Sequence, residues 1–61
     1  VVQILAEALA DLDPLVRAHA AWALGEIGGD AASLSLEAAA GLEADSLVRD
    51  EIHSALARLS G

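Results

Sequence analysis

The chain has 61 residues, ten of them acidic and three basic, for a formal charge of −7. It contains no cysteine and no lysine, and Trp22 is its one aromatic side chain. A chain this short makes one domain at most. Without cysteine it holds no disulfide scaffold, thiolate zinc site, iron–sulfur cluster or cysteine nucleophile of its own. Three arginines make a poor independent nucleic-acid binder, because phosphate neutralisation supplies most of that affinity.

The chain opens in mid-pattern with Val1-Val2-Gln3-Ile4-Leu5, which reads as a piece excised from a longer protein. No stretch approaches the roughly 18 uncharged apolar residues of a membrane span. No basic segment precedes an apolar one, as it would in a signal peptide. The expectation is a cytoplasmic domain without membrane contact.

Four helices are predicted in chain order. Val2, Leu5, Leu9 and Leu12 recur at helical spacing and predict the first over about 2–12. The second spans about 14–27, with Asp13 as N-cap and Pro14 at the first helical position, where a missing N–H costs nothing. Gly28 and Gly29 end it by supplying left-handed conformations. The third spans about 31–40, with Asp30 as N-cap and Gly41 as its end. The fourth spans about 46–59, capped by Asp45 and stopped near Gly61. No segment alternates apolar and polar residues as a strand would. The short connections force neighbouring helices to run antiparallel.

A shift of 32 residues carries Asp13-Pro14-Leu15-Val16-Arg17 onto Asp45-Ser46-Leu47-Val48-Arg49 and Ala23-Leu24 onto Ala55-Leu56. It also carries Gly29 onto Gly61, and Asp11 onto the similar Glu43. The chain is therefore one domain, 1–61, built from two repeats of about 1–29 and 31–61.

Asp13-Pro14-Leu15-Val16-Arg17, followed by Ala20-Ala21-Trp22-Ala23-Leu24-Gly25-Glu26-Ile27-Gly28, resembles the short HEAT-like repeat of the phycobilin-lyase type. The second copy departs from it at Ser46 and Ala57. The resemblance implies an all-α fold: two αα-hairpins stacked as a right-handed solenoid fragment. The run from Pro14 to Gly25, with Val48-Arg49-Asp50-Glu51-Ile52, also resembles the C-terminal tail of the epoxyqueuosine reductase family. Those are iron–sulfur and cobalamin-dependent oxidoreductases that complete queuosine in transfer RNA. That resemblance implies clusters and cobalamin in a parent protein, upstream of Val1, and no cofactor in this chain.

At 100° per residue, Val16, Ala20, Ala23, Leu24 and Ile27 form one stripe on the second helix. Val48, Ile52, Ala55, Leu56 and Leu59 form its match on the fourth, and both stripes are candidate core. Leu15, Ala18, His19, Trp22 and Glu26 share a different face, whose counterparts in the second repeat are mostly polar. An internal repeat carries a sticky outer face and a terminal one a polar face. The second repeat therefore reads as a cap, and the Trp22 face as a docking surface for a preceding domain, another protein or a second copy. Trp22 folded over a gap within the domain is the alternative.

Arg17 and Arg49 recur at one repeat position. Either they contact an anion along a groove, or each bonds a nearby carboxylate or turn carbonyl. Asp45 is the candidate partner of Arg17, and Asp13 that of Arg49. His19 and His53 each stand alone, without metal-ligand spacing. No group of residues combines a nucleophile, a base and a stabiliser, so no catalytic or metal site is predicted.

The functional expectation is a non-catalytic accessory domain, the tail of an epoxyqueuosine reductase-like enzyme. The alternatives are a protein–protein scaffold segment from a longer HEAT array and a phycobilin-lyase-like protein. Two alanine-rich hairpins bury little, so the isolated chain is expected to be marginal as a monomer.

Overall fold

A computed structural model describes residues 1–60. Its elements are α1 (Val2–Ala8), α2 (Pro14–Ile27), α3 (Asp30–Leu42) and α4 (Ser46–Ser60). No strand occurs among the described residues. The helices form two antiparallel hairpins, α1–α2 and α3–α4. The hairpins are stacked so that α2 packs most extensively on α4.

The starts of α2 and α4 follow from the same local chemistry. The Asp13 carboxylate accepts from the Leu15 N–H at 2.9 Å. The Asp45 carboxylate accepts from the N–H groups of Leu47 at 2.9 Å and Val48 at 3.2 Å. Each satisfies donors that the first helical turn leaves unpaired. At the far end of α2, Gly28 and Gly29 take φ of 75° and 92°. Side-chain-bearing residues rarely adopt these angles, and here they reverse the chain within two residues.

Three boundaries differ from the periodicity. α1 stops at Ala8 instead of running to residue 12, and Leu12 is almost fully exposed. Arg17 Nη1 donates to the carbonyls of Asp11 at 2.8 Å and Leu12 at 3.1 Å. The Asp11 carboxylate accepts from the Asp13 N–H. These bonds hold an extended approach to Pro14, which itself disfavours a helical residue before it. At α3, Asp30 lies inside the first turn and Gly29 occupies the cap, because the glycine reversal leaves no further residue free for capping. Gly41 sits within α3, which continues to Leu42. The stop is Glu43, extended at φ −77° and ψ 126°. At α4 the helix reaches Ser60, and Gly61 lies outside the described residues, with its match to Gly29.

Leu24, Leu36, Val48 and Ile52 are the largest fully buried side chains, and Leu9, Ala20, Ala21, Ala32 and Ala55 complete the core. The stripe predicted on α4 is inside: Val48, Ile52 and Ala55 are buried, with Leu56 and Leu59 packed against them. The α2 stripe is only half inside. Ala20 and Leu24 are buried, but Val16 is 37% and Ile27 48% exposed. In their place, Ala21 and Gly25 are buried against the second hairpin. A methyl group at Gly25 would lie 2.8 Å from the Ala55 Cβ and 3.1 Å from its Cα, closer than carbon atoms approach without displacement. Gly25 is what lets α2 and α4 come together.

Candidate docking surface

An ion-pair lock joins the α1–α2 turn to the α3–α4 turn. Arg17, on the first turn of α2, donates from Nε to Glu43 Oε1 at 2.8 Å and from Nη2 to Oε2 at 3.0 Å. Its remaining donor takes the α1–α2 turn carbonyls already described. Glu43 Oε2 also accepts from the Asp45 N–H at 3.0 Å. The guanidinium thus ties the turn of one hairpin to the turn of the next with the planar fork geometry arginine favours. The bond holds the Glu43 carboxyl below the ordinary glutamate value and raises Arg17 further. The partner of Arg17 is therefore Glu43 and not Asp45. Glu43 lies on the same turn, two residues ahead of the cap, and its longer side chain reaches the guanidinium. The Arg49 guanidinium makes no hydrogen bond or ion pair among the described residues, so the pairing expected with Asp13 is absent.

The five residues grouped on the second face of α2 do not behave as one surface. Leu15, His19 and Trp22 are exposed, and Trp22 retains 52% of its surface. Ala18 packs against the core. Glu26 lies toward α4, its carboxylate 3.7 Å from Arg58 Nε, while Arg58 Nη2 donates to the Trp22 carbonyl at 3.2 Å. A 100° wheel places Ala18 beside the buried Ala21 and Gly25, so tertiary packing captures that edge of the face.

The open apolar surface lies one step round the helix. A groove of about 640 Å³ runs between α1 and α2, lined by Leu5, Ala8, Val16, Ala20 and Ala23, with His19 and Trp22 also on it. Ile4 and Ile27 are exposed on the same hairpin. Sequence periodicity assigned Val16, Ala23 and Ile27 to the core, because periodicity reports that a face is apolar and not which neighbour covers it. The signal for the true α2–α4 contact was the small pair Ala21 and Gly25 at i and i+4.

Among the described residues no group of three or more His, Asp or Glu side chains is arranged to hold a metal. No described helix is long and apolar enough to cross a membrane.

Two helical hairpins, whose second helices start on the same aspartate cap and behind the same kind of acidic turn, define a helical-repeat protein. The family model for HEAT repeats matches residues 1–57, and the chain belongs to that family. No curated protein and no solved structure matches the chain significantly.

Proposed function

We propose that this chain is a non-catalytic docking module whose α1–α2 face receives another protein element. The observation that carries this is the contrast between equivalent residues. Val48 and Ala55 are buried beneath the neighbouring hairpin, whereas Val16 and Ala23, their repeat equivalents, border an open groove. Aromatic residues are favoured anchors in such interfaces, and Trp22 stands on this groove.

The test is to compare Trp22→Ala and Ile27→Ser in two contexts, the isolated chain and the full product of its gene. A docking face predicts little change in the thermal midpoint of the isolated chain and a clear loss in the larger protein. Equal effects in both contexts would remove the docking role.

For the parent, the run from Pro14 to Gly25 supports the accessory tail of an epoxyqueuosine reductase-like oxidoreductase acting in the cytoplasm on transfer RNA. The gene upstream of Val1 decides this. Two cysteine clusters of iron–sulfur type support that parentage. Further repeats of the Pro-Leu-Val-Arg kind would instead make the chain one segment of a binding scaffold.

A further inference from the structure

We infer that the molecule carries a second docking surface, on the side formed by the first helices of its two hairpins. Its occupant is a single amphipathic helix with a basic flank. The surface is separate from the α1–α2 face and does not rest on the role given to that face.

α3 is apolar on two sides. Its inner side buries Ala32 and Leu36. Its outer side carries Leu34, Ala38 and Leu42 at i, i+4 and i+8, and all three are exposed, Leu42 to 87%. A helix that faces water on its outer side ordinarily carries polar residues there. Beside this stripe, a groove of about 550 Å³ runs between α3 and the end of α1. Leu9, Ala10, Ala38 and Ala39 lie along it, and the nearly fully exposed Leu12 and Leu42 stand at its rim.

The groove's charge is negative and unanswered. Among the described residues, Arg17 is the one cation that lines it, and its Nε and Nη2 are spent on Glu43. Asp11 also lines it, and its exposed carboxylate makes no ion pair among the described residues. Glu7, four residues earlier on α1, is exposed and likewise makes none. α3 contains no basic residue. An occupant with lysine or arginine beside its apolar face meets this charge, and the chain's −7 steers it in.

Size favours a single helix over a second copy of the chain. From Ser35 to Leu42 the groove follows α3 for about 10 Å, two helical turns. Apolar side chains at i, i+3 or i+4, and i+7 of one docked helix cover that length. A stable dimer needs about 800 Å² from each partner, about a fifth of the 3817 Å² that this chain exposes and more than a two-turn groove supplies. Two copies would also bring Asp11 and Glu7 against their own kind, with no free cation lining either groove.

The probe is a synthetic helical peptide of about 14 residues, long enough to pass the groove at both ends. It carries leucine on one face and lysine on the rest. Its counterpart has glutamate in place of every lysine. Each is titrated into the isotope-labelled chain at about 0.15 M salt, where distant charges are screened. With the lysine peptide, amide shifts should concentrate at residues 9–12 and at Ala38, Ala39 and Leu42, while the Trp22 indole N–H stays in place. The glutamate peptide should bind about tenfold more weakly, or less still. Leu12→Ser with Leu42→Ser should cost the lysine peptide about tenfold in affinity or more, because each leucine is covered only by the occupant. Asp11→Asn keeps the acceptor for the Asp13 N–H and should weaken binding about two- to fivefold, as loss of an exposed ion pair does.

Shifts centred on Val16 and Trp22 would put the peptide on the α1–α2 face and overturn the inference. So would shifts spread evenly over the acidic residues, equal binding of the two peptides, unchanged affinity in the leucine double variant, or no binding at millimolar peptide. Sedimentation of the chain alone supplies the remaining arm. A concentration-dependent mass that the leucine double variant abolishes would assign the groove to a second copy and overturn the inference as well. None of these results bears on Trp22→Ala compared in two contexts, so the two surfaces fail separately.

Discussion

At the residue scale, Glu43 is the most informative titratable group. Its folded carboxyl sits below the ordinary 4.5 because Arg17 bonds its charged form. The folded chain therefore binds this proton less readily than the unfolded chain. The stabilisation is complete above about pH 4.5 and is lost as pH falls through the lower folded value. Thermal unfolding of the chain and of Glu43→Gln should differ most near neutral pH, and the difference should shrink as the pH drops below that range. A difference that stays constant with pH would mean the charge is irrelevant. The caps are a second check. Asp13→Ala and Asp45→Ala should each cost about 1 kcal/mol in urea unfolding, the usual worth of an N-cap. Both aspartates were legible as caps, since capping involves neighbours two or three residues away. Glu43 was not legible as the partner of Arg17, because that bond spans two hairpins.

At the element scale, the approach of α2 to α4 depends on Gly25. Gly25→Ala improves helix propensity by about 1 kcal/mol. Against that, overpacking a closed interface costs about 1–3 kcal/mol. The contact at 2.8 Å involves the Ala55 Cβ, held to its backbone with no freedom to turn aside, so the clash should win. Gly25→Ala should lower the urea midpoint, while Gly41→Ala, in open space, should raise it. If both variants moved the same way, Gly25 would not be setting the helix approach. The helices themselves were legible from apolar spacing, but the length of α1 was not. Leu12 continues the period of Val2, Leu5 and Leu9, yet Arg17 binds the carbonyls at residues 11 and 12 and holds them out of the helix.

For the whole molecule, nine buried residues form the core, and five of them are alanine or other small aliphatic side chains that contribute little area: Ala20, Ala21, Ala32, Ala55 and Val48. Burial and ordering entropy nearly cancel at this size. Ile52→Ala should therefore remove about 2–5 kcal/mol and leave the isolated chain largely unfolded at room temperature. Far-UV circular dichroism at 25 °C would check this, and a native-like spectrum for Ile52→Ala would show a larger reserve of stability than the core implies.

The sequence by itself determined the all-α class, the two-repeat plan, the glycine reversal at residues 28 and 29, and the caps at Asp13 and Asp45. Each depends on residues within a turn or two of one another, or on a period that survives without knowing the neighbours. Only the tertiary structure decided which apolar stripe is covered. Val16 and Val48 are identical in kind and register, yet one lines an open groove and the other is 1% exposed. The difference lies in what packs against each helix, and that is set by contacts between residues far apart in the chain.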